Sequence, residues 1–432
     1  MKIVIGVHHF PPTYTAGAEQ EAYRMAQSLR QRGHDIRVIC VERIDQPSPE
    51  RLLWQDDVYD DIPVRRLFFN LADAPDMFRY AYDNQWVAQH LDQYLAEQKP
   101  DLFHLISGYL LSGSTIPVAH KHNLPVVVSL MDFWFLCPRI TMLRSNGDVS
   151  TFPIQASVCA RCLGEEQRRY RWLDQRLPGL MDHYWRRQTD RIQQVAERQA
   201  FLQQTLNQAE AIICRSHFFE RVFAESGIAL SKLTFSRQGF DMPEIEASLL
   251  VKTPSTRLRV GYFGQIAPHK GVDVLFAAAS QLPSLPLTVH AYGNITPFPD
   301  YTRRLEALSQ KDNRLHLAGL YQAHDVGRVL QNIDVLVVPS LWYENSPNVI
   351  VEAFAHRTPV IVSDLGGMAE LVTHGQDGLR FEAGNAAALA QQLRRLIEEP
   401  ALLGQLQAGI QPVKTVAQEI DELEAIYQRV VC

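Results

Sequence analysis

PSLWYENSPNVIVEAFA, residues 339–355, decides the reading of this 432-residue chain. It directly follows an apolar run, Val335-Leu336-Val337-Val338. Ser346 is a candidate N-cap, and Pro347 suits a first helical position because its missing N–H needs no partner there. Val349, Ile350, Ala353 and Phe354 continue at helical spacing. Glu344 and Glu352 lie eight apart. On one helix that interval would separate them around the axis, whereas Glu344 on the loop and Glu352 on the helix can both reach one ligand. Carboxylates accept from hydroxyls, and free N–H groups at a helix start favour an anion. The pair can therefore hold a polyol that also carries phosphate, as a sugar nucleotide does. A capped helix with two solubilising carboxylates has the same spacing.

Outward from this stretch, the second half of the chain alternates strand and helix. Strands are expected near Leu258–Phe263, Leu287–Tyr292, Leu315–Ala318, Asp334–Val338 and Pro359–Val362. That rhythm predicts a doubly wound parallel sheet, which binds ligands beyond the carboxyl ends of its strands. The first half repeats the rhythm. Lys2–Val7 reads as a strand, Ala18, Ala22, Met25, Ala26 and Leu29 lie on one helix, and Gly33 stops it. Further strands are expected at Ile36–Val41, Asp101–Ile106, Val126–Leu130 and Ala211–Cys214. Tyr59–Leu67 reads as a decorating hairpin. Between Leu163 and Gln208 the pattern becomes long, helical and Arg-rich. Met242–Ser255 reads as a linker. The expected organisation is α/β: a Rossmann-like domain over 1–240 with a helical insertion over about 163–208, a second over 255–411, and a terminal helix over 412–432.

Here the residues reach a family. Tyr343–Ala355, followed by Gly366-Gly367, Glu370 and Asp377-Gly378, resembles the retaining glycosyltransferases of family four. The likeness is clear from Gly261 to about Phe381 and looser before Ser236. It implies the GT-B fold, two Rossmann-like domains facing a cleft, with the last helix crossing back to the first domain. It also implies a nucleotide-diphosphate sugar as donor substrate, no required cofactor and no divalent metal. By this resemblance Glu352 binds the ribose and Glu344 the donor sugar. The segment Asn345, Ser346, Pro347, Asn348 and Val349 presents its backbone N–H groups, which Pro347 lacks, to the sugar and the diphosphate.

The loop Gly264-Gln265-Ile266-Ala267-Pro268-His269-Lys270-Gly271 follows a strand and precedes a helix. Gly264 permits close approach of a phosphate, and Lys270 supplies a mobile cation. The spacing is neither a Walker loop nor a dinucleotide fingerprint; a plain turn would look alike. The family commonly has Arg where Gln265 stands, so the resemblance puts more weight on Lys270. Gly17 resembles the family's N-terminal glycine loop at the donor diphosphate, or simply permits a turn. Gly293 and Gly319 end strands near the expected base site. In VVVSLMDFWFLCP (126–138), Met131 stands where relatives have a histidine that points at the donor sugar. A thioether cannot hold a hydroxyl as imidazole does. Asp132 or a neighbouring histidine then takes that role, or the donor lacks the hydroxyl, or activity is reduced. His104 matches another family histidine and reads as a buried structural one. Lys270, Glu344 and Asp132 are the catalytic candidates.

Six cysteines are present: Cys40, Cys137, Cys159, Cys162, Cys214 and Cys432. Cys159-x-x-Cys162 with Cys137 upstream resembles part of a metal site. The fourth ligand is missing, with His120, His122 or His183 as candidates, and a reduced cluster packed in the first domain is the other reading. The Arg-rich helices could dock an anionic acceptor such as a lipid-linked diphosphate, lie on an anionic membrane face, or form a solvated surface with internal ion pairs.

Composition narrows the class. Apolar content of 46% and charged content of 21% are those of a globular protein, and a net charge of −6 argues against a nucleic-acid binder. No apolar run reaches the roughly 18–20 residues of a membrane span. MKIVIGVHHF reads as a first strand rather than a signal peptide, so a cytoplasmic setting is expected, with peripheral contact at the inner membrane face left open. The expected partners are the donor and a glycan or lipid-linked acceptor. The expected function is retaining transfer of a sugar to an acceptor hydroxyl in polysaccharide or glycoconjugate synthesis. A catalytically silent relative that binds nucleotide sugars is the alternative. An NAD-dependent oxidoreductase lacks its glycine fingerprint here, and a non-hydrolysing epimerase fits the Glu344–Glu352 context poorly.

Overall fold

The computed structural model describes residues 1–46, 50–240, 247–321 and 325–431. The chain divides into two compact units, one of residues 1–238 with 416–432, the other of residues 239–415.

The first unit is built on an eight-stranded sheet. Its strands are β1 (Lys2–Val7), β2 (Asp35–Arg43), β3 (Leu52–Tyr59), β4 (Ile62–Phe69), β5 (Leu102–Ile106), β6 (Val126–Leu130), β7 (Ala211–Cys214) and β8 (Leu233–Phe235). Their order is β3-β4-β2-β1-β5-β6-β7-β8. All neighbours pair in parallel except β3 and β4. The central strands β5, β6 and β7 are buried along their whole length. Uninterrupted apolar runs of this kind suit a parallel sheet covered on both faces. The exposed β3 closes one edge. The sheet grows in one direction from β1 and in the other from β5, so the topological switch point lies at the ends of those two strands.

The terminal helix Val416–Val431 belongs to this unit. Val416, Ile420, Leu423, Ile426 and Tyr427 are buried with β1, β2 and the helix Gly17–Gln31. Polar ties fix its register: Arg32 Nη1 lies 2.6 Å from Asp421, and His34 Nε2 lies 2.8 Å from Glu424. Arg215 joins Glu21 and Glu419 in a triad in which every side chain is at least nine-tenths buried.

The second unit has six parallel strands: β9 (Leu258–Phe263), β10 (Leu287–Tyr292), β11 (Leu315–Gly319), β12 (Val335–Val338), β13 (Val360–Ser363) and β14 (Gly378–Phe381). Their order is β11-β10-β9-β12-β13-β14, with the switch point between β9 and β12. Helices Val272–Ser280 and Ala386–Glu398 pack on one face around Leu275, Phe276, Leu389 and Leu393. Helix Asn348–Ala355 packs on the other through Ile350 and Ala353.

Several expectations are corrected. Helix Asn348–Ala355 begins one residue later than expected, and its N-cap is Pro347 (φ −69°, ψ 119°) rather than Ser346. Proline's fixed φ suits an extended cap position as well as a first helical turn, so the sequence signal does not separate the two. Tyr59–Leu67 is not decoration. It is the middle of the β3–β4 hairpin, and β4 extends the sheet by pairing in parallel with β2. The Arg-rich insertion starts earlier and is broken into helices Ala156–Gly164, Arg168–Arg176, Pro178–Arg186 and Thr189–Leu206. Pro178 accounts for one break. Strands β8 and β14 have no counterpart in the sequence pattern, because neither is an apolar run: β8 is Leu-Thr-Phe and β14 is Gly-Leu-Arg-Phe. Of the expected linker, residues 242–246 lie outside the described residues, as does Cys432. Among the described residues no helix is long and apolar enough to cross a membrane.

Candidate functional site

In the second unit the switch point gathers two loops. The loop after β9 ends in a short 3-10 turn, Pro268–Lys270, and the loop after β12 runs over residues 339–347. They are tied together by Leu341 N–H donating to the His269 carbonyl at 2.8 Å. Gly271 is required at this junction. Its φ is +70°, and a Cβ there would stand 2.1 Å from the Pro339 carbonyl oxygen.

Glu344 is the centre of the arrangement. Its Oε1 accepts from Lys270 Nζ at 2.6 Å, Trp342 Nε1 at 2.8 Å and Ser340 Oγ at 2.9 Å. Burial by itself would raise this carboxyl. The Lys270 ammonium and the three hydrogen bonds outweigh it and hold the group below the usual glutamate range. All three donors converge on one oxygen. Among the described residues no protein donor is assigned to Oε2. Trp342 also packs edge-on against His269, with ring centroids 4.9 Å apart, and Lys270 Nζ lies 5.0 Å from the indole centroid. Burial, then Lys270, pushes the His269 imidazole below its ordinary pKa, which favours the neutral ring.

Residues 341–349 are all half-buried, so the segment Asn345-Ser346-Pro347-Asn348-Val349 is held yet accessible. It enters the helix Asn348–Ala355, where Ile350 N–H donates to the Pro347 carbonyl at 3.1 Å and the N–H groups of Asn348 and Val349 precede the first intrahelical bond. The Gly367 N–H donates to the Glu344 carbonyl at 2.9 Å, which binds the Gly366–Glu370 helix start to the same loop. Glu352 lies on the second turn of Asn348–Ala355, close enough to Tyr321 to act, after burial, in raising that phenol's pKa. Tyr321, Tyr292 and Phe263 form an aromatic cluster with centroids 4.9–6.0 Å apart.

Gly264, Gly293 and Gly319 stand side by side at the ends of β9, β10 and β11. Gly264 N–H donates to Tyr292 O at 3.1 Å and Gly293 N–H to Gly319 O at 2.9 Å. A Cβ on Gly293 would lie 1.9 Å from the Gly264 carbonyl oxygen. Gln265 is exposed beside them.

In the first unit, Asp132 and Gly17 also sit at the carboxyl ends of strands near the switch point, with Gly17 opening the helix after β1. Asp132 accepts from Ser107 Oγ and from Trp134 N–H, both at 2.8 Å. Burial raises its carboxyl above the usual range despite those bonds. Met131 packs against the hydrophobic core that contains β1 and β5. Near Asp132 is a residue that no sequence motif marks, His8. Its Nε2 lies 3.4 Å from Glu19 Oε1, its ring meets Tyr109 edge-on at 5.6 Å, and its buried Nδ1 has no hydrogen-bond partner. Burial pulls Glu19 upward, and the contact with His8 more than cancels that, leaving it below the usual range. The loop after β5 is strained: Ser107, Leu110 and Ser112 have φ of 58°, 61° and 74°. Each such residue costs on the order of 1–3 kcal/mol and persists only where its surroundings dictate it. His104 is fully buried between Tyr427 Oη (2.6 Å) and Ser129 Oγ (2.9 Å), in a structural position.

Cys137, Cys159 and Cys162 are free and buried. Cys159 and Cys162 lie on the helix Ala156–Gly164 and, with Cys137, line a cavity of only about 10 Å³. Burial pushes the Cys159 thiol up to about 12, away from the thiolate a metal would need. Among the described residues no group of three His, Cys, Asp or Glu side chains is placed to hold a metal ion. His120 and His122 are instead paired with Glu210 and Asp92.

Sequence reasoning therefore names both loops of the second unit but misses Ser340, Trp342, His8 and Glu19. The signal for Trp342 is its place two residues before Glu344. Nothing local marks His8.

A family model described as glycosyl transferase 4-like domain matches residues 16–236, and one described as glycosyl transferases group 1 matches residues 257–399. Glycogen synthase of Mycobacterium tuberculosis is 24% identical over 413 residues, 93% of this chain and 87% of that protein. D-inositol 3-phosphate glycosyltransferase of Rhodococcus opacus is 33% identical over 159 residues, 34% of this chain and 35% of that protein. Among solved structures, sucrose-phosphate synthase of Thermosynechococcus elongatus superposes with a TM-score of 0.67 at 17% identity, covering 99% of this chain and 98% of that one. HepE of Anabaena, solved in complex with UDP-glucose, superposes with a TM-score of 0.60 at 19% identity, covering 100% and 98%. These structural likenesses carry the GT-B fold.

Proposed function

We propose, because the chain belongs to the glycosyl transferase 4-like, group 1 family of glycosyltransferases, that it moves a sugar from a nucleotide diphosphate to an acceptor hydroxyl with retention of configuration. The observation that carries this reading is the Glu344 carboxylate, locked through Oε1 by Lys270, Trp342 and Ser340 beside the start of a helix. A carboxylate kept ionised with one oxygen open orients a sugar hydroxyl. A lysine spending one of its three N–H donors on that carboxylate keeps two for a phosphate.

In the reaction so read, the anomeric C–O bond to the diphosphate breaks, and its electron pair goes to the departing phosphate oxygen. The acceptor oxygen bonds to the anomeric carbon from the same face, and its proton passes to the departing phosphate. Negative charge grows on the diphosphate, so stabilisation is chiefly electrostatic, from Lys270 and the N–H groups of Asn345–Val349. Gly264, Gln265 and Gly293 line the approach to the phosphates, and Glu352 with the neighbouring Tyr321 holds the ribose. The first unit's own candidates for ligand contact are Gly17, and Asp132 with His8 where Met131 cannot hold a hydroxyl. The acceptor is a glycan or a lipid-linked hydroxyl in polysaccharide or glycoconjugate synthesis.

One observation favours a second reading, a silent nucleotide-sugar-binding relative: Met131 is committed to core packing. A panel of nucleotide sugars, scored for slow release of nucleoside diphosphate and for transfer, separates the two. Lys270→Ala should lower turnover by about 10²–10³-fold, as removing one charge-stabilising donor does. Near-normal turnover in that variant would sink the transferase mechanism. Saturable binding without any release or transfer would establish the silent reading.

A further inference from the structure

The first unit holds a second cavity, of about 200 Å³, apart from Asp132 and Gly17. Its walls are mainly apolar, with Phe69, Tyr80, Tyr109 and Trp134 among them. Two polar side chains border it, Arg198 from the helix Thr189–Leu206 and Asn84. Both are almost wholly buried, at 3% and 1% exposure. Both also have unused donors: Arg198 Nη1 and Asn84 Nδ2 have no hydrogen-bond partner.

Arg198 is unusual among the buried arginines. Arg215, Arg66 and Arg65 are each paired with carboxylates. Arg198 Nη2 instead donates to the Trp134 carbonyl, and the guanidinium carbon lies 5.5 Å from the Trp134 ring centroid. Neither contact neutralises the charge. The remaining charge-bearing neighbours are the thiols of Cys137 and Cys159, the Tyr82 phenol and Asp132, whose oxygens are committed to Ser107 and Trp134. Burial accordingly pulls the guanidinium down to about 10, which still leaves it charged at pH 7. Asp132 is thus the one carboxylate among the groups acting on Arg198, and no carboxylate bonds the guanidinium directly, which leaves Nη1 without an acceptor beside the cavity. Asn84 Oδ1 is already used, accepting from Trp86 N–H and Val87 N–H to cap a helix, so its amide is oriented with N–H groups to spare.

We propose that this cavity binds an oxyanion, a carboxylate or a phosphate, carried on a small apolar or ring-shaped body, with Arg198 as counter-charge and Asn84 as second donor. The aromatic walls take the body, and the guanidinium fork takes two oxygens. Reading the bound molecule as the acceptor of transfer rests on the function proposed above; the anion site itself does not.

Calorimetry on the purified full chain at low ionic strength tests this with three probes of one shape: phenyl phosphate, benzoate and neutral benzyl alcohol. The expected result is saturable one-to-one binding of at least one anion, with benzyl alcohol weaker by ten-fold or more. Arg198→Gln should weaken the anion ten-fold or more. Asn84→Asp, which keeps the capping oxygen and replaces the amide donor with an acceptor, should do likewise. Phenyl phosphate alone binding assigns phosphate esters; benzoate alone assigns carboxylates. Binding of neither anion, equal binding by Arg198→Gln, or loss in Lys270→Ala instead would overturn the proposal. UDP is titrated into the same samples. Failure of UDP to bind wild type would count against the donor site while leaving the anion cavity standing.

Discussion

Replacing Lys270 with methionine isolates the interaction on which the proposed donor site depends. Methionine keeps the length of the side chain and removes the charge. The wild-type pair is 2.6 Å apart, with side-chain exposures of 22% for Lys270 and 12% for Glu344. Stripping one partner from a fully buried pair costs about 3–5 kcal/mol. The pair here is partly wetted, and Glu344 keeps its bonds from Trp342 and Ser340, so about 2 kcal/mol is expected. That corresponds to a roughly 30-fold change in the opening equilibrium. Hydrogen exchange followed by mass spectrometry reads it in the second unit alone, as faster exchange of the protected amides of β9 and β12.

The pH dependence gives a second check. The wild-type Glu344 carboxyl lies below its ordinary value of 4.5, so its contribution is present above that value and is lost as pH falls through the depressed one. Without Lys270, burial is less opposed and the carboxyl moves up. The variant therefore recovers relative to wild type as pH falls toward 4.5, where its carboxyl takes up a proton. The double variant Lys270→Met, Glu344→Gln removes both charges and should return to within about 1 kcal/mol of wild type. Exchange within three-fold of wild type at pH 7, a deficit unchanged at pH 4.5, or a double variant as weak as the single one would refute the reasoning.

Two further outcomes follow from the geometry. Burial pushes Glu21, in the Arg215–Glu21–Glu419 triad, up to about 7, so its contribution is present below 4.5 and lost as pH rises through about 7. Thermal melts between pH 5 and 8 should show wild type losing stability relative to Glu21→Gln, and parallel curves would count against this. The two donor-loop glycines should differ: Gly293→Ala drives a methyl into the Gly264 carbonyl and should abolish UDP binding, whereas a methyl on Gly17 would meet nothing within 4 Å and Gly17→Ala should keep the wild-type melting point. A raised KM in Gly17→Ala with unchanged stability would assign that glycine to the ligand; a fall of several degrees would assign it to the fold.

Much of this molecule is legible along one dimension. Strands β6, β7, β9 and β10 fall where the apolar runs place them, because a buried parallel strand has few polar residues to interrupt it. Glu344 is legible for the same reason, since the strand before it and the helix after it leave only a loop between. The short β8 and β14 escape because Thr234 and Arg380 interrupt them, so neither reads as an apolar run. Met131 can be identified as a departure, but not as a core residue, since side-chain direction past the end of a strand is not periodic.

Tertiary structure alone decided the partnerships. Lys270 and Glu344 are 74 residues apart in sequence and meet because β9 and β12 are neighbours at the switch point. His8 finds Glu19, and Arg198 reaches the same cavity as Asn84, by the ordering of strands and the seat of an inserted helix. Sequence period records which residues favour burial, a local property of each side chain. Which loops end side by side depends on strand order, a property of the whole sheet, and the charges and unused donors that define both sites become visible only there.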